Sequence, residues 1–193
     1  MKAELVNLSK TKSMTSKYFK CLLIFLFHFI IVAGTLIADS PLTSTPFYKA
    51  YMDKEIVLKA GATKIMNNEI AEYLHSGSNP IDVKAAVINA MGWDADGKMN
   101  AMIYNTEIYN KQLTEGDIPG MSADELFVIG YLKALDDYNA PEDALPFLKA
   151  AQDKMNDSYT VSVIEALVKA QRVMAKNFCK AWKSTNKVLP TRI

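Results

Sequence analysis

From Thr45 onwards, the spacing of the apolar residues is the feature that most limits what this chain can fold into. Apolar side chains recur at intervals of one, three and four residues, as at Ile70, Tyr73 and Leu74. No segment shows the strict alternation of apolar and polar residues that a half-buried strand requires. The pattern therefore predicts an all-α fold, an antiparallel helical bundle or irregular helix stack of about six to seven helices.

Helix start and stop signals divide this region into seven predicted helices. Thr45 with Pro46 and Asn79 with Pro80 are cap-and-proline starts, and Ser122 opens a helix with a capping box to Glu125. The predicted helices run from Pro46 to Gly61, from Thr63 to the SGSN stop at 76–79, from Pro80 to Gly92, over 98–113, from Ser122 through Leu135, from Pro141 to about Met155, and from Ser158 to Val188. In the fourth, the predicted buried stripe is Met99, Met102, Ile103, Ile108 and Leu113, flanked by Tyr104 and Tyr109.

An apolar run from Cys21 to Ala38 precedes these helices. Five lysines and one acid lie ahead of it, and the small and turn-forming residues ADSPLTSTP follow it from Ala38. This order is typical of a secretory signal. We therefore predict a signal peptide at 1–38, a linker at 39–45 and a helical domain at 46–193. The predicted location is the periplasm; if the apolar run stays uncleaved, it anchors the domain to the outer face of the inner membrane.

Without the predicted signal at 1–38, the other 155 residues have a net charge of about −3. The sequence therefore does not indicate a nucleic-acid partner. With residues 1–38 removed, Cys179 is the only cysteine, and no disulfide can form within the chain. It lies between Phe178 and Trp182 on an apolar helix face, which predicts a buried, inert thiol. We expect contact with a membrane only through the N-terminal segment.

Three sequence patterns hint at chemistry, and each favours a structural interpretation. The segment DADGKMN at 94–100 resembles a calcium loop, but aligning Gly97 with the required glycine puts Gly92 and Ile103 at ligand positions. His75 has no second ligand or nucleophile beside it and suits the end of a helix. A carboxylate site built from Glu69, Glu72 and Glu107 would lack the histidines that metal sites in helical bundles use. The sequence predicts no catalytic residues, metal or cofactor.

Charge segregation is the clearest unusual feature. From Ala166 to the end there are seven cations and no acid, whereas 39–165 contain ten cations and twenty acids. A solvated surface, with acidic and basic helices pairing inside the domain, is one interpretation. The other is that one or both charged surfaces bind a protein partner. The candidate partner-binding residues are Lys169, Arg172, Lys176, Lys180, Lys183, Asp136, Asp137, Glu142 and Asp143.

The segment APEDALPFLKAAQDKMND at 140–157 resembles the second helix of a tetratricopeptide repeat. Ala144, Leu148 and Ala151 have the spacing of that family's small, large and small packing residues. The glycine of the first helix would fall at Leu132, two residues past Gly130, and the rest of the chain does not show the repeat. The resemblance implies a packed helix pair near the C-terminus.

Size, a predicted export signal and the absence of catalytic motifs give the chain the general character of exported bacterial immunity proteins, which bind and neutralise antibacterial toxins. The expected function is therefore that of a non-catalytic protein-binding module whose partner is a toxin or an envelope protein. The alternatives are a helical adaptor or structural component of an envelope assembly and, with less support, a carboxylate-based enzyme.

Overall fold

The structure is a computed structural model, and it describes residues 40, 42–94, 96–174 and 177–186. These ranges are all-α, with no strand, as the apolar spacing predicts. The helices are α1 Glu55–Thr63, α2 Asn68–His75, α3 Ile81–Met91, α4 Asn100–Tyr109, α5 Ala123–Asp136, α6 Leu145–Lys154, α7 Tyr159–Met174 and α8 Phe178–Asn186, with 3₁₀ turns at Phe47–Tyr51, Glu115–Gly120 and Pro141–Ala144.

The helix ends agree with the predicted caps at some positions and differ at others. Ser122 and Glu125 form the predicted capping box of α5, and Gly92 ends α3 with a φ of 69°. The predicted first helix is instead a 3₁₀ turn followed by α1, which passes Gly61 and ends at the left-handed Lys64. Asn67, rather than Thr63, caps α2, because its side chain accepts a hydrogen bond from the Ile70 amide at 3.0 Å.

The predicted buried stripe of the fourth helix is correct in part, because Leu113 is buried and Ile103 and Ile108 pack partly buried against the core. Met99 and Met102 are 62% and 44% exposed, whereas Tyr104, predicted to flank the stripe, is fully buried. The buried face of α4 contains Asn100, Ala101, Tyr104 and Asn105. Asn100 on that face bonds to a neighbouring segment, since its side chain accepts from the Met66 amide at 2.8 Å. A rule that counts only apolar residues cannot find such a face.

The core is built around α3 and α5, which are buried over most of their length. Lys84 of α3 is fully buried, and its ammonium group forms a salt bridge with Asp124 in the first turn of α5. Helices α5 and α6 approach closely at Gly130, where an added Cβ would lie 2.7 Å from Leu148 Cγ. Glycine is required here by the short distance between the two helices. The backbone conformation does not require it, because residue 130 is in ordinary helix.

The C-terminal region contains two helices in place of the predicted single one. Helix α7 ends at Met174, and the Asn177 side chain caps α8 by accepting a hydrogen bond from the Lys180 amide at 3.0 Å. Cys179, in the first turn of α8, is exposed. The prediction of a buried thiol is therefore wrong.

Segment 42–51 leads into the helical body and packs against it. Leu42, in the predicted linker, is 2% exposed and belongs to the hydrophobic core. The buried Asn89 side chain of α3 accepts from the Tyr48 amide at 3.1 Å and donates to the Thr45 carbonyl at 3.3 Å. None of the helices in the described ranges has both the length and the hydropathy needed to cross a bilayer. The predicted signal at 1–38 lies outside those ranges.

Candidate functional site

Four aspartates meet where the C-terminal end of α5 faces the turn before α4. Asp136 and Asp137 come from α5, and Asp94 and Asp96 come from the turn. Together they line a cavity of about 330 Å³, the acidic cleft, whose other lining residues are Gly97, Lys98, Tyr138 and Asn139. Two of the predicted partner-binding residues therefore lie together, beside two aspartates that the sequence analysis considered only as part of a calcium-like loop.

Backbone contacts hold the two sides of the cleft together. The Lys98 amide donates to the Asp136 carbonyl at 3.0 Å. Gly97 has a φ of 84°, and a Cβ at this position would lie 3.2 Å from the same carbonyl oxygen. Glycine at 97 thus satisfies both the left-handed conformation and the close approach of the turn to α5.

Asp136 caps the helix that follows the turn. Its Oδ2 accepts from the Ala101 amide at 2.6 Å, and the Asn100 amide also donates to the carboxylate. The N-terminal end of α4 therefore has an acceptor, which Met99 at its cap position does not supply. Burial raises the pKa of the Asp136 carboxyl to about 6, although these hydrogen bonds and nearby lysines oppose the shift. Its Oδ1 is buried and has no partner among the described residues.

Asp94 and Asp137 each use one carboxylate oxygen locally. Oδ1 of Asp94 accepts from the Asp96 amide at 3.1 Å, and Oδ1 of Asp137 accepts from the Ala140 amide at 3.1 Å. Both contacts are turn-forming side-chain bonds. No hydrogen bond within the described ranges reaches the second oxygen of either side chain. Because both residues are exposed, these oxygens are accessible to a partner.

Lys98 is the one lysine among the residues that line the cleft, and its ammonium group bonds elsewhere. Nζ donates to the Met91 carbonyl at 2.6 Å, at the end of α3, and to the Lys64 carbonyl at 2.9 Å. Burial lowers the pKa of Lys98. Within the described ranges, none of the four aspartates has a salt-bridge partner within 4.0 Å. The charge of Lys98 still acts on Asp136 and Asp94, but four aspartates outnumber one lysine and the cleft is negative overall.

Two aromatic side chains adjoin the aspartates. The rings of Trp93 and Tyr138 lie 4.4 Å apart between centroids, tilted by 52°. Both are half-buried, so part of each side chain remains accessible. Aromatic side chains beside carboxylates suit a cationic group, which binds both the charge and the ring face.

Of the other predicted acids, Glu142 and Asp143 are exposed in the 3₁₀ turn Pro141–Ala144. This turn leads directly into α6, so both carboxylates are near the positive end of that helix, where an acid is favourable. Neither residue lines the acidic cleft. They add negative charge to the segment that connects α5 and α6.

The predicted cations are divided between two helices. Lys169 and Arg172 belong to α7, whereas Lys180 and Lys183 belong to α8, beyond the break. Lys169 forms a salt bridge with Glu165 of its own helix at 2.6 Å. Arg172, Lys180 and Lys183 are exposed. Lys176 lies outside the described residues.

The carboxylates considered for an enzyme separate into two places. Glu69 and Glu72 line a cleft of about 590 Å³ between α1 and α2, and Glu107 is not among its lining residues. Lys59 pairs with Glu69 at 2.6 Å and with Glu55 at 3.0 Å. No group of three or more metal-binding side chains occurs in the part of the chain that the structure describes. His75 ends α2, with its Nδ1 4.0 Å from Glu125 Oε1.

Comparison with known proteins leaves the site to be interpreted from its own geometry. No family model, curated protein or solved structure matches this chain.

The acidic cleft contains a signal that sequence analysis can use once the fold class is known. Asp94 and Asp96 follow the end of α3, and the pair Asp136–Asp137 ends α5, so both lie in helix-ending segments. Acids at helix C-termini oppose the helix dipole. That cost is a reason to look for a second role, but pairing the two segments needed the tertiary structure.

Proposed function

We propose that this chain is an exported, non-catalytic protein-binding module, and that the acidic cleft is where a basic partner protein docks. The observation that carries the proposal is uncompensated charge. Four aspartates converge on one cavity, while the ammonium group of Lys98 is taken up by two backbone carbonyls. A lysine or arginine of the partner would supply the missing cation, and opposed charge would speed association and select the partner.

The aromatic pair beside the cleft supports a protein partner over a simple counter-ion. Tyr138 lines the cleft, and Trp93 contacts it. Partly buried aromatic side chains provide apolar contact area at interfaces and favour arginine and lysine stems. A partner side chain would thus gain contact with carboxylates and rings at once.

In its most concrete form, the proposal is that the chain is a periplasmic immunity-type protein. The cleft suits a partner with a basic surface, such as an antibacterial toxin. Covering that surface would neutralise the toxin without any chemical reaction. A helical adaptor of an envelope assembly is the alternative. The two differ in what is bound: one stoichiometric toxin or a set of envelope proteins.

The test is capture of cross-linked partners with the full-length tagged chain expressed in its native cells. The cleft variant combines Asp94→Asn, Asp96→Asn and Asp137→Asn. We expect the unmodified chain to bring down one stoichiometric basic protein in a salt-sensitive way, and the cleft variant to lose it. Protection of cells against that protein, with and without this chain, then separates immunity from adaptor function.

The control variant makes the same change in charge elsewhere. Glu72→Gln, Glu107→Gln and Glu115→Gln remove three exposed carboxylates that line no part of the acidic cleft. We expect this variant to retain the partner. Equal capture by both variants would show that the cleft is not the docking site, and recovery of the chain in the cytosolic fraction would contradict export.

A further inference from the structure

Another concavity, the apolar pocket, lies between segment 42–51 and helices α3, α5 and α7. Its volume is about 360 Å³, which falls within the range of small-molecule sites. It shares no lining residue with the acidic cleft. Any ligand of this pocket is therefore independent of the proposed docking of a partner protein.

Most of the pocket wall is apolar. Leu42 and Phe47 line one side, and Val163, Ile164 and Leu167 of α7 line another. The spacing of these three α7 residues places them on one face of that helix. Such a wall favours the hydrocarbon or aromatic part of a ligand, since burying apolar surface is the main driving force for binding in pockets of this kind.

One carboxylate interrupts the apolar lining. Asp82, in the first turn of α3, is half-buried, and its Oδ2 accepts a hydrogen bond from the Tyr51 hydroxyl at 3.0 Å. Within the described ranges no cationic nitrogen lies within 4.0 Å of it. The neighbouring cation Lys54 forms its salt bridge with Asp53, at 2.8 Å. The pocket therefore has one negative charge beside an apolar surface.

Tyr131 adds a second polar group to the wall. The residue is 1% exposed, and its hydroxyl oxygen lies 3.4 Å from Asn89 Nδ2, which donates to it. Asn89 also holds the backbone of segment 42–51 through Thr45 and Tyr48. The polar groups at the pocket are thus fixed by the core, as a preformed site requires.

We propose that the apolar pocket binds a small amphiphilic amine, with its alkyl or aromatic part against α7 and its ammonium group beside Asp82. A neutral apolar ligand would cover the carboxylate without replacing its water, and an anion would be repelled by it. An ammonium group instead forms a charge-assisted hydrogen bond with the carboxylate, which is among the stronger polar contacts available to a ligand.

The test compares two compounds that differ in charge and hardly in shape, 2-phenylethylamine and 2-phenylethanol. Calorimetric titration of the full chain at pH 7 measures the dissociation constant of each. We expect one saturable site for the amine, with at least about tenfold tighter binding than for the alcohol, because only the amine gains the charge-assisted bond. Equal affinities, or no saturable binding of the amine, would overturn the proposal.

Two variants locate the site. Asp82→Asn should lower the affinity for the amine to that for the alcohol, and Thr160→Trp should weaken both by filling the pocket. Glu107→Gln, an exposed acid that does not line the pocket, should change neither. Preference for the amine that survives in folded Asp82→Asn would place the charge recognition elsewhere and contradict the proposal. If Asp82→Asn does not fold, the comparison of the two compounds on the unmodified chain still decides.

Discussion

The two ends of α5 use acidic residues in opposite ways. At the N-terminal end, Asp124 pairs with the buried Lys84, and Glu125 completes the capping box with Ser122. At the C-terminal end, Asp136 and Asp137 form no salt bridge within the described ranges and face other aspartates across a cleft. The first arrangement agrees with the helix dipole, and the second opposes it.

The electrostatics of Glu125 and Asp136 differ accordingly. Burial by itself would raise the pKa of Glu125, but hydrogen bonds from Ser122 and Tyr109 outweigh burial and lower it. For Asp136, burial outweighs the bonds that the carboxylate accepts, and its pKa is raised. The ionised carboxylate of Glu125 therefore stabilises the fold, whereas the ionised carboxylate of Asp136 destabilises it. Substitutions at each end of α5 test that distinction.

Lys84→Ala should lower the free energy of unfolding by about 3 kcal/mol, because it leaves Asp124 without its partner and removes a buried side chain. Urea unfolding at pH 7 measures the change. The control is Lys149→Ala, which breaks the exposed pair with Asp153, where the two side chains are 61% and 60% exposed. That change should cost about 0.5 kcal/mol or less. Equal losses would mean that burial of Lys84 is unimportant.

Asp136→Asn should alter how stability depends on pH. A carboxyl whose pKa is raised by folding, here to about 6, contributes stability that is fully present below its unfolded pKa and is lost as pH rises through 6. Between pH 4 and 7 the unmodified chain should therefore lose up to about 3 kcal/mol relative to Asp136→Asn. Paired urea titrations at the two pH values measure this difference. A constant difference between the two proteins would contradict the burial of the carboxylate.

Gly130→Ala should destabilise the chain by about 1–3 kcal/mol, because the new Cβ meets Leu148 Cγ at 2.7 Å and the Leu148 backbone nitrogen at 3.1 Å. Gly61→Ala in α1 is the matched control. Its Cβ meets nothing closer than 3.8 Å, so the better helix propensity of alanine should raise stability by about 0.5–1 kcal/mol. Thermal unfolding of both variants measures the contrast. The same sign for both would mean that α5 and α6 do not approach as described.

Asp137→Asn should change the free energy of unfolding least, with a gain of about 0.3 kcal/mol from removing a negative charge at a helix C-terminus. Glu107→Gln, on the exposed face of α4, should leave stability unchanged within the error of urea unfolding. A loss above about 1 kcal/mol for Asp137→Asn would show that this carboxylate supports the fold. Both sides of the cleft would then contribute to the stability of the fold.

The fold class and several helix ends follow from local sequence. The apolar spacing predicts an all-α chain, and the Ser122 capping box and the Gly92 stop are local interactions that sequence specifies well. The break before α8 also had a local signal in Asn177, three residues before the amide it caps. The longer apolar and cationic pattern around Asn177 instead predicts one continuous helix.

What sequence could not supply depends on contacts between distant residues. Met99 is exposed and Tyr104 is buried, and the buried face of α4 includes Asn100, whose side chain bonds to the distant Met66 amide. The acidic cleft joins residues about forty positions apart, and the contacts of Gly97, Lys98 and Ala101 with Asp136 bring them together. Charge counts identified an acidic region, but its geometry depends on tertiary packing.

Asn89 links the beginning of the folded body to its centre. Its amide reaches Tyr48, Thr45 and Tyr131, so one buried side chain of α3 connects a non-helical segment to two core helices. The amide proton of Tyr48 should consequently exchange with solvent as slowly as those of α3, and the wall of the apolar pocket should open only when the whole core does.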